Sequence, residues 1–182
     1  MRRQLFFVLP LLALAACTPA EDAPADDAAT EAASEAPEDA TIDLGAGGIT
    51  IPAQNGFEQL AAPFGSARAA TEATLANVVG AATGGHDGTG DCWLKTTEYA
   101  GLTLSFNEAD EFVGYYATPP WSGTGQRADM LANDEITMVE DSTLGEEFTI
   151  GEGEAIISGL FTGTGDDATV EALWAGENCI FR

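Results

Sequence analysis

A chain of 182 residues with 30 acidic side chains, six Lys or Arg and one His carries a formal net charge of −24. That balance makes nucleic acid and bare anionic lipid surfaces poor partners, because both are held by Lys and Arg. Hydrophobic residues make up 45% of the chain, which excludes a wholly disordered polypeptide.

Taken from the N-terminus, Arg2 and Arg3 form a short positive segment. Leu5 to Ala16 is an apolar run with Phe6, Phe7, Val8, Leu9, Leu11 and Leu12, and it closes in Leu14-Ala15-Ala16-Cys17. The run is too short for a membrane-spanning helix and has the length of a cleaved signal. A small-residue box of this kind precedes the lipidated cysteine of bacterial lipoproteins. Residues 1–16 are therefore read as a signal peptide, and Cys17 as the acylated first residue of the mature chain, anchored by its acyl chains. Plain Ala-x-Ala cleavage, leaving a free thiol, is the other reading. The paired arginines leave the twin-arginine route open beside the general one. Thr18 stands where the inner-membrane retention signal of enteric bacteria has aspartate, which favours the inner leaflet of the outer membrane, facing the periplasm.

Glu21 to Asp43 holds nine acidic residues, no Lys or Arg, and Ile42 as its single large apolar side chain. Such a segment buries too little apolar surface to offset its ordering entropy. Residues 17–47 are thus expected to be a disordered acidic tether, and 48–182 a single domain of ordinary size. That domain keeps 21 acidic residues against Arg68, Lys95, Arg127 and Arg182. A basic protein, a cationic peptide or divalent cations fit such a surface. So does a salt-rich habitat, with no specific partner at all.

Ile49 and Ile51 alternate with Gly48 and Thr50, a short strand ending at Pro52. Ser66 is a candidate N-cap for an Ala-rich helix in which Thr71, Leu75, Val78, Val79 and Ala82 fall at helical spacing, stopped by Gly80. Gly84-Gly85 and Asp87 to Gly90 read as a loop. Cys92, Leu94 and Thr96 share one strand face. Leu102, Leu104 and Phe106 alternate with Thr103 and Ser105, and Phe112 to Tyr116 returns after an Asn107-Glu108-Ala109-Asp110 turn, so Gly101 to Ala117 is a hairpin. Gln126 to Asn133 is a short helix with Ala128 and Leu131 on one side. Strands follow at 136–140, 147–150, 155–161, 169–174 and 178–181, bounded by Gly or acidic turns. Strands in runs rather than alternating with helices give α+β, with one main and one short helix on antiparallel meanders, and a degenerate tandem repeat.

Cys92 and Cys179 are the two cysteines left after Cys17, and in an exported chain they pair in one way. Trp93 and Trp174, on strands beside them, are expected to be in the core or half-buried. One continuous core is expected, with Leu94, Leu104, Phe106, Phe112, Ile157, Trp174 and Phe181 contributing. Trp121, in a Pro-Pro loop beside Tyr115 and Tyr116, is weighed between core packing and a partner contact. Trp121 and Tyr115 are the candidate contact residues.

Phe64-Gly65-Ser66, the helix ending at Val79-Gly80, the strand around Cys92-Trp93, the hairpin Gly101 to Tyr116, and the ending Leu173-Trp174-Ala175-Gly176 with Cys179-Ile180-Phe181-Arg182 resemble uncharacterised alphaproteobacterial lipoproteins. These in turn are similar to the β-lactamase-inhibitory-protein type and to small outer-membrane assembly lipoproteins. The resemblance covers Phe57 to Arg182. It implies protein binding rather than catalysis and transfers no binding residue.

Catalytic signals are weak. Gly123 to Ala128 and Gly163 to Ala168 match the spacing of a dinucleotide fingerprint, but the first follows Pro-Pro-Trp-Ser and the second carries two carboxylates that would repel a pyrophosphate, so both read as turns. His86 has no histidine partner for zinc or for a catalytic triad. Gly84 to Asp91 loosely resembles a glycine-aspartate calcium turn, with Asp87 and Asp91 as oxygen ligands. The expectation is a lipid-anchored, non-enzymatic interaction or envelope-maintenance module without cofactor or metal, touching the membrane through its lipid and binding another envelope protein, not nucleic acid or nucleotide. The competing expectation is a small hydrolase using paired carboxylates, with or without calcium.

Overall fold

Short apolar alternations build the first elements. The computed structural model describes residues 40–54, 56, 58–89 and 92–180, all within the compact unit Ala32–Arg182. The signal peptide, Cys17, the tether up to residue 39, Asp91, Phe181 and Arg182 lie outside the described residues. Strands β1 (Asp43–Gly45), β2 (Gly48–Ile51) and β3 (Leu60–Pro63) form a three-stranded antiparallel sheet. It buries Ile49, Ile51 and Ala62 on one side. Ala40, Ile42 and Leu44 also pack on this core. Residues 40–47 thus belong to the fold rather than to the tether, because Leu44 pairs across from Ile49 and shares its buried face.

Helix α1 (Arg68–Val79) turns Thr71, Leu75, Val78 and Val79 inward, the i, i+4, i+7, i+8 stripe of an amphipathic helix. Its N-cap is Ala67, with no side-chain cap, so Ser66 does not cap it. One free amide is met from outside the helix instead, Arg68 N donating to Asp110 O at 2.7 Å. Ala82 lies beyond the helix and is exposed.

The remaining strands are β4 (Gly84–Asp87), β5 (Lys95–Tyr99), β6 (Leu102–Phe106), β7 (Phe112–Ala117), β8 (Ile136–Met138), β9 (Glu147–Ile150), β10 (Ile157–Phe161) and β11 (Val170–Gly176). Helix α2 (Arg127–Leu131) lies between β7 and β8. The eight strands form one antiparallel sheet in the order β4-β5-β6-β7-β11-β10-β9-β8. The fold is therefore α+β, two helices with two antiparallel sheets, as expected. Gly84–Asp87 is a strand, not a loop. Residues 178–180 form no strand. On α2, Ala128 is exposed and Met130 and Leu131 pack inward.

Two meanders, each led by a helix, meet last strand to last strand at β7 and β11. The halves share their joints. Ala67 bridges Glu111 just before β7, and Gln126 bridges Thr169 just before β11. The Arg68 guanidinium lies 5.0 Å from the Phe106 ring centroid and that of Arg127 5.8 Å from Phe161. The register shifts at Ser105/Phe106 in one half and at Leu160/Phe161 in the other. The tandem repeat is thus a structural one, four strands after each helix rather than three and then five.

Both helices and the small sheet cover the same face of the eight-stranded sheet. Leu75, Leu104, Phe106, Phe112 and Tyr115 form one cluster there, and Phe148, Phe161 and Val170 with Met130 and Leu131 form a second. The core is therefore divided in two. Each fully buried aliphatic or aromatic side chain contributes about 1.5–3 kcal/mol relative to exposure.

Candidate functional site: the open face of the sheet

Side chains that alternate away from the helices line the opposite face. By register Glu98 pairs with Thr103, Thr103 with Tyr116 and Tyr116 with Trp174. This row crosses four adjacent strands and puts all four side chains on that face. The Tyr116 and Trp174 rings stack at 6.1 Å and 26°, where the two halves join. With Thr96, Ser105 and Leu160 they floor a cavity of about 460 Å³, to which His86, Leu144, Cys92, Asn178, Cys179 and Ile180 add walls.

One wall is a strap made by the C-terminal segment. After β11 the chain crosses β7: Glu177 N donates to Val113 O at 2.8 Å, and Ser105 Oγ on β6 donates to Asn178 Oδ1 at 3.4 Å. Cys179 then bonds to Cys92, just before β5, with Cα atoms 5.6 Å apart. The expected disulfide is present, and it joins the segment before β5 to the segment after β11, two strands that β6 and β7 separate. The crossing needs Gly114, since a Cβ there would collide with the Glu177 backbone.

Polar groups on this face stand ready for a ligand. Among the described residues no hydrogen bond or ion pair engages the Glu98 carboxylate, the Thr103 hydroxyl or the Tyr116 hydroxyl. Burial, and after it the Glu171 carboxylate, raises the Tyr116 hydroxyl pKa above its ordinary 10.0. His86 accepts from Gly88 N at Nδ1 (3.0 Å), which leaves Nε2 to carry the proton of the neutral ring.

A second depression, about 820 Å³, runs between α1 and β4–β5, but its main polar groups are satisfied. Arg68 Nε donates to Glu72 Oε1 at 2.9 Å and Thr97 Oγ1 to the same oxygen at 2.6 Å. Tyr99 beside them has its hydroxyl pushed up to about 12, by burial first, then by Glu72.

Of the expected site residues, Cys92 and Cys179 are brought together and line the cavity. Tyr115 is corrected: it is 0% exposed within the helix-side core and reaches no partner. Trp121 packs against that core, and its Nε1 donates to Ala100 O at 2.8 Å, so it too serves the fold. Trp93, expected in the core or half-buried, is 54% exposed beside the disulfide, while Trp174 is buried as expected. Leu94, Leu104, Phe106 and Phe112 are buried and Ile157 partly so. Neither glycine motif joins a preceding strand to a long following helix: the first runs from a turn into α2, and the second separates β10 from β11.

Asp87 is exposed on the edge strand β4, and no group of three or more His, Cys, Asp or Glu placed to hold a metal occurs among the described residues. The buried carboxylate Glu147 accepts from Ser142 Oγ at 2.6 Å, which ties down the loop carrying Leu144. No described helix is long and apolar enough to cross a membrane. Compared with protein families, curated proteins and solved structures, the chain matches none.

Proposed function

We propose that this chain is a lipid-anchored module of the cell envelope, facing the periplasm from the outer membrane. In this reading it performs no catalysis and holds a partner protein on the open face of its eight-stranded sheet. The observation that carries the reading is the asymmetry of that sheet. One face is filled by both helices and the small sheet, while the other keeps a 460 Å³ cavity with a half-buried Tyr116 and unengaged polar groups. An apolar floor with a few polar groups around it is the ordinary form of a recognition surface. The N-terminal signal and Cys17 support the anchor. The helix-then-meander repeat supports the resemblance to β-lactamase-inhibitory-protein-like and outer-membrane assembly lipoproteins, which implies protein binding.

The anchor is tested by Cys17→Ala, which should abolish acylation and release the protein from membranes; an unmodified Cys17 in the membrane-purified protein contradicts it. The binding face is tested by Thr103→Trp, which fills the floor, against Thr74→Trp on the half-exposed side of α1. Complexes extracted from membranes should be lost with the first and kept with the second, both proteins melting as the parent does. An unchanged complex in the Thr103 variant overturns the reading.

A further inference from the structure

We propose that the occupant of the open face is an extended basic segment of a partner polypeptide, seated by Lys or Arg side chains. This rests on the reading of that face as a protein-binding surface. The three described Lys and Arg side chains all serve the helix side, each in an ion pair: Arg68 Nε with Glu72 Oε1 at 2.9 Å, Lys95 Nζ with Asp110 Oδ1 at 2.9 Å, and Arg127 Nη2 with Glu146 Oε2 at 3.2 Å. Lys95 pairs in register with Phe106, which fixes it on the helix side.

Among the described residues no Lys or Arg lines the cavity, and none forms an ion pair with the Glu98 carboxylate within it. Glu171 adds a second negative charge close enough to act on the Tyr116 hydroxyl. The unengaged hydroxyls of Thr103 and Tyr116 accept hydrogen bonds from ammonium or guanidinium donors. The face of the half-buried Tyr116 ring attracts the same cations. A second copy of this chain, with its own net charge of −24, is repelled from such a face.

The dimensions favour a polypeptide over a small amine. The lining runs from His86 on β4 to Leu160 on β10, across six neighbouring strands. At about 4.8 Å per strand spacing this is about 24 Å, the reach of about seven extended residues.

The test uses the full mature protein and labelled short peptides of alternating Lys and Leu, of alternating Glu and Leu, and of alternating Ser and Leu, followed by fluorescence anisotropy. The Lys peptide should bind best, more weakly as salt rises. Glu98→Gln should weaken it about three- to fivefold, and Tyr116→Leu about two- to tenfold. Glu135→Gln, which removes one charge from the exposed turn before β8, should change it by less than about twofold.

Equal loss in Glu98→Gln and Glu135→Gln would reduce the effect to overall charge and overturn the proposal. Binding of none of the peptides overturns it as well. If the Ser or Glu peptide binds as tightly and is lost in Tyr116→Leu, the basic occupant is refuted while the binding face stands. The Thr103→Trp comparison judges that face separately.

Discussion

Cys92 and Cys179 are 87 residues apart in sequence, and their bond closes most of the domain into one loop. In the chain-entropy account, opening a loop of that length costs about 4.5 kcal/mol of stability, and losses from native bridges in small exported domains run from about 2 to 5 kcal/mol. For a domain of roughly 140 residues the unfolding entropy near the midpoint is about 0.3 kcal/mol per kelvin, so Cys92→Ser with Cys179→Ser should lower Tm by about 7–15 °C. The loss has a local part as well. The strap is held by Glu177 N to Val113 O and Ser105 to Asn178, and these bonds lose their anchor. Calorimetry on the double variant should show one transition at the lower temperature, and hydrogen exchange should show the Glu177 amide opening ahead of β6. A Tm within about 3 °C of the parent, or two separate transitions, would refute the view that the bridge staples both halves of one cooperative sheet.

Tyr115→Phe should leave stability unchanged or raise it by up to about 1 kcal/mol in urea titrations, because the buried hydroxyl finds no partner. Arg68→Met should cost about 1–2 kcal/mol in the same assay, since it removes the contact over Phe106 and the bonds to Glu72 and Thr97. Asp110 is held below the usual carboxylate range, first by the hydrogen bond from Lys95. Its folded pKa is depressed, so its contribution is complete above the ordinary carboxylate range and disappears as the pH falls through the lowered value. Asp110→Asn should therefore flatten the acid limb of the stability profile, and NMR titration should find the Asp110 carboxyl below its ordinary 3.8.

The β6–β7 hairpin was legible because Leu102, Leu104 and Phe106 alternate cleanly with Thr103 and Ser105, and the main helix because Thr71, Leu75, Val78 and Val79 make one stripe. Gly84-Gly85-His86-Asp87 carries no apolar residue. It becomes a strand only because β5 offers it a free edge, which no local pattern reveals. Tyr115, the expected contact residue, lies inward and Tyr116 on the open face for one physical reason: counting by twos from Phe112 would put Tyr116 inward, but the bulge opposite Ser105/Phe106 shifts the register, so Phe112 and Tyr115 both face the helices. The matching bulge at Leu160/Phe161 sends Trp174 to the open face. Sequence alternation does not show a bulge, so the floor of the cavity was not readable residue by residue. The disulfide was readable from compartment and parity, but the strap it anchors was not, since that depends on β5 and β11 being kept apart by two strands.

The most direct measurement places a photo-crosslinking amino acid at Thr103, on the cavity floor, and for comparison at Thr74 on α1, in the lipidated protein within a bacterial envelope. The account predicts one discrete polypeptide crosslinked from Thr103 and none from Thr74, with the crosslink lost when Tyr116→Leu is added. No adduct from Thr103, or the same adducts from both positions, would contradict it.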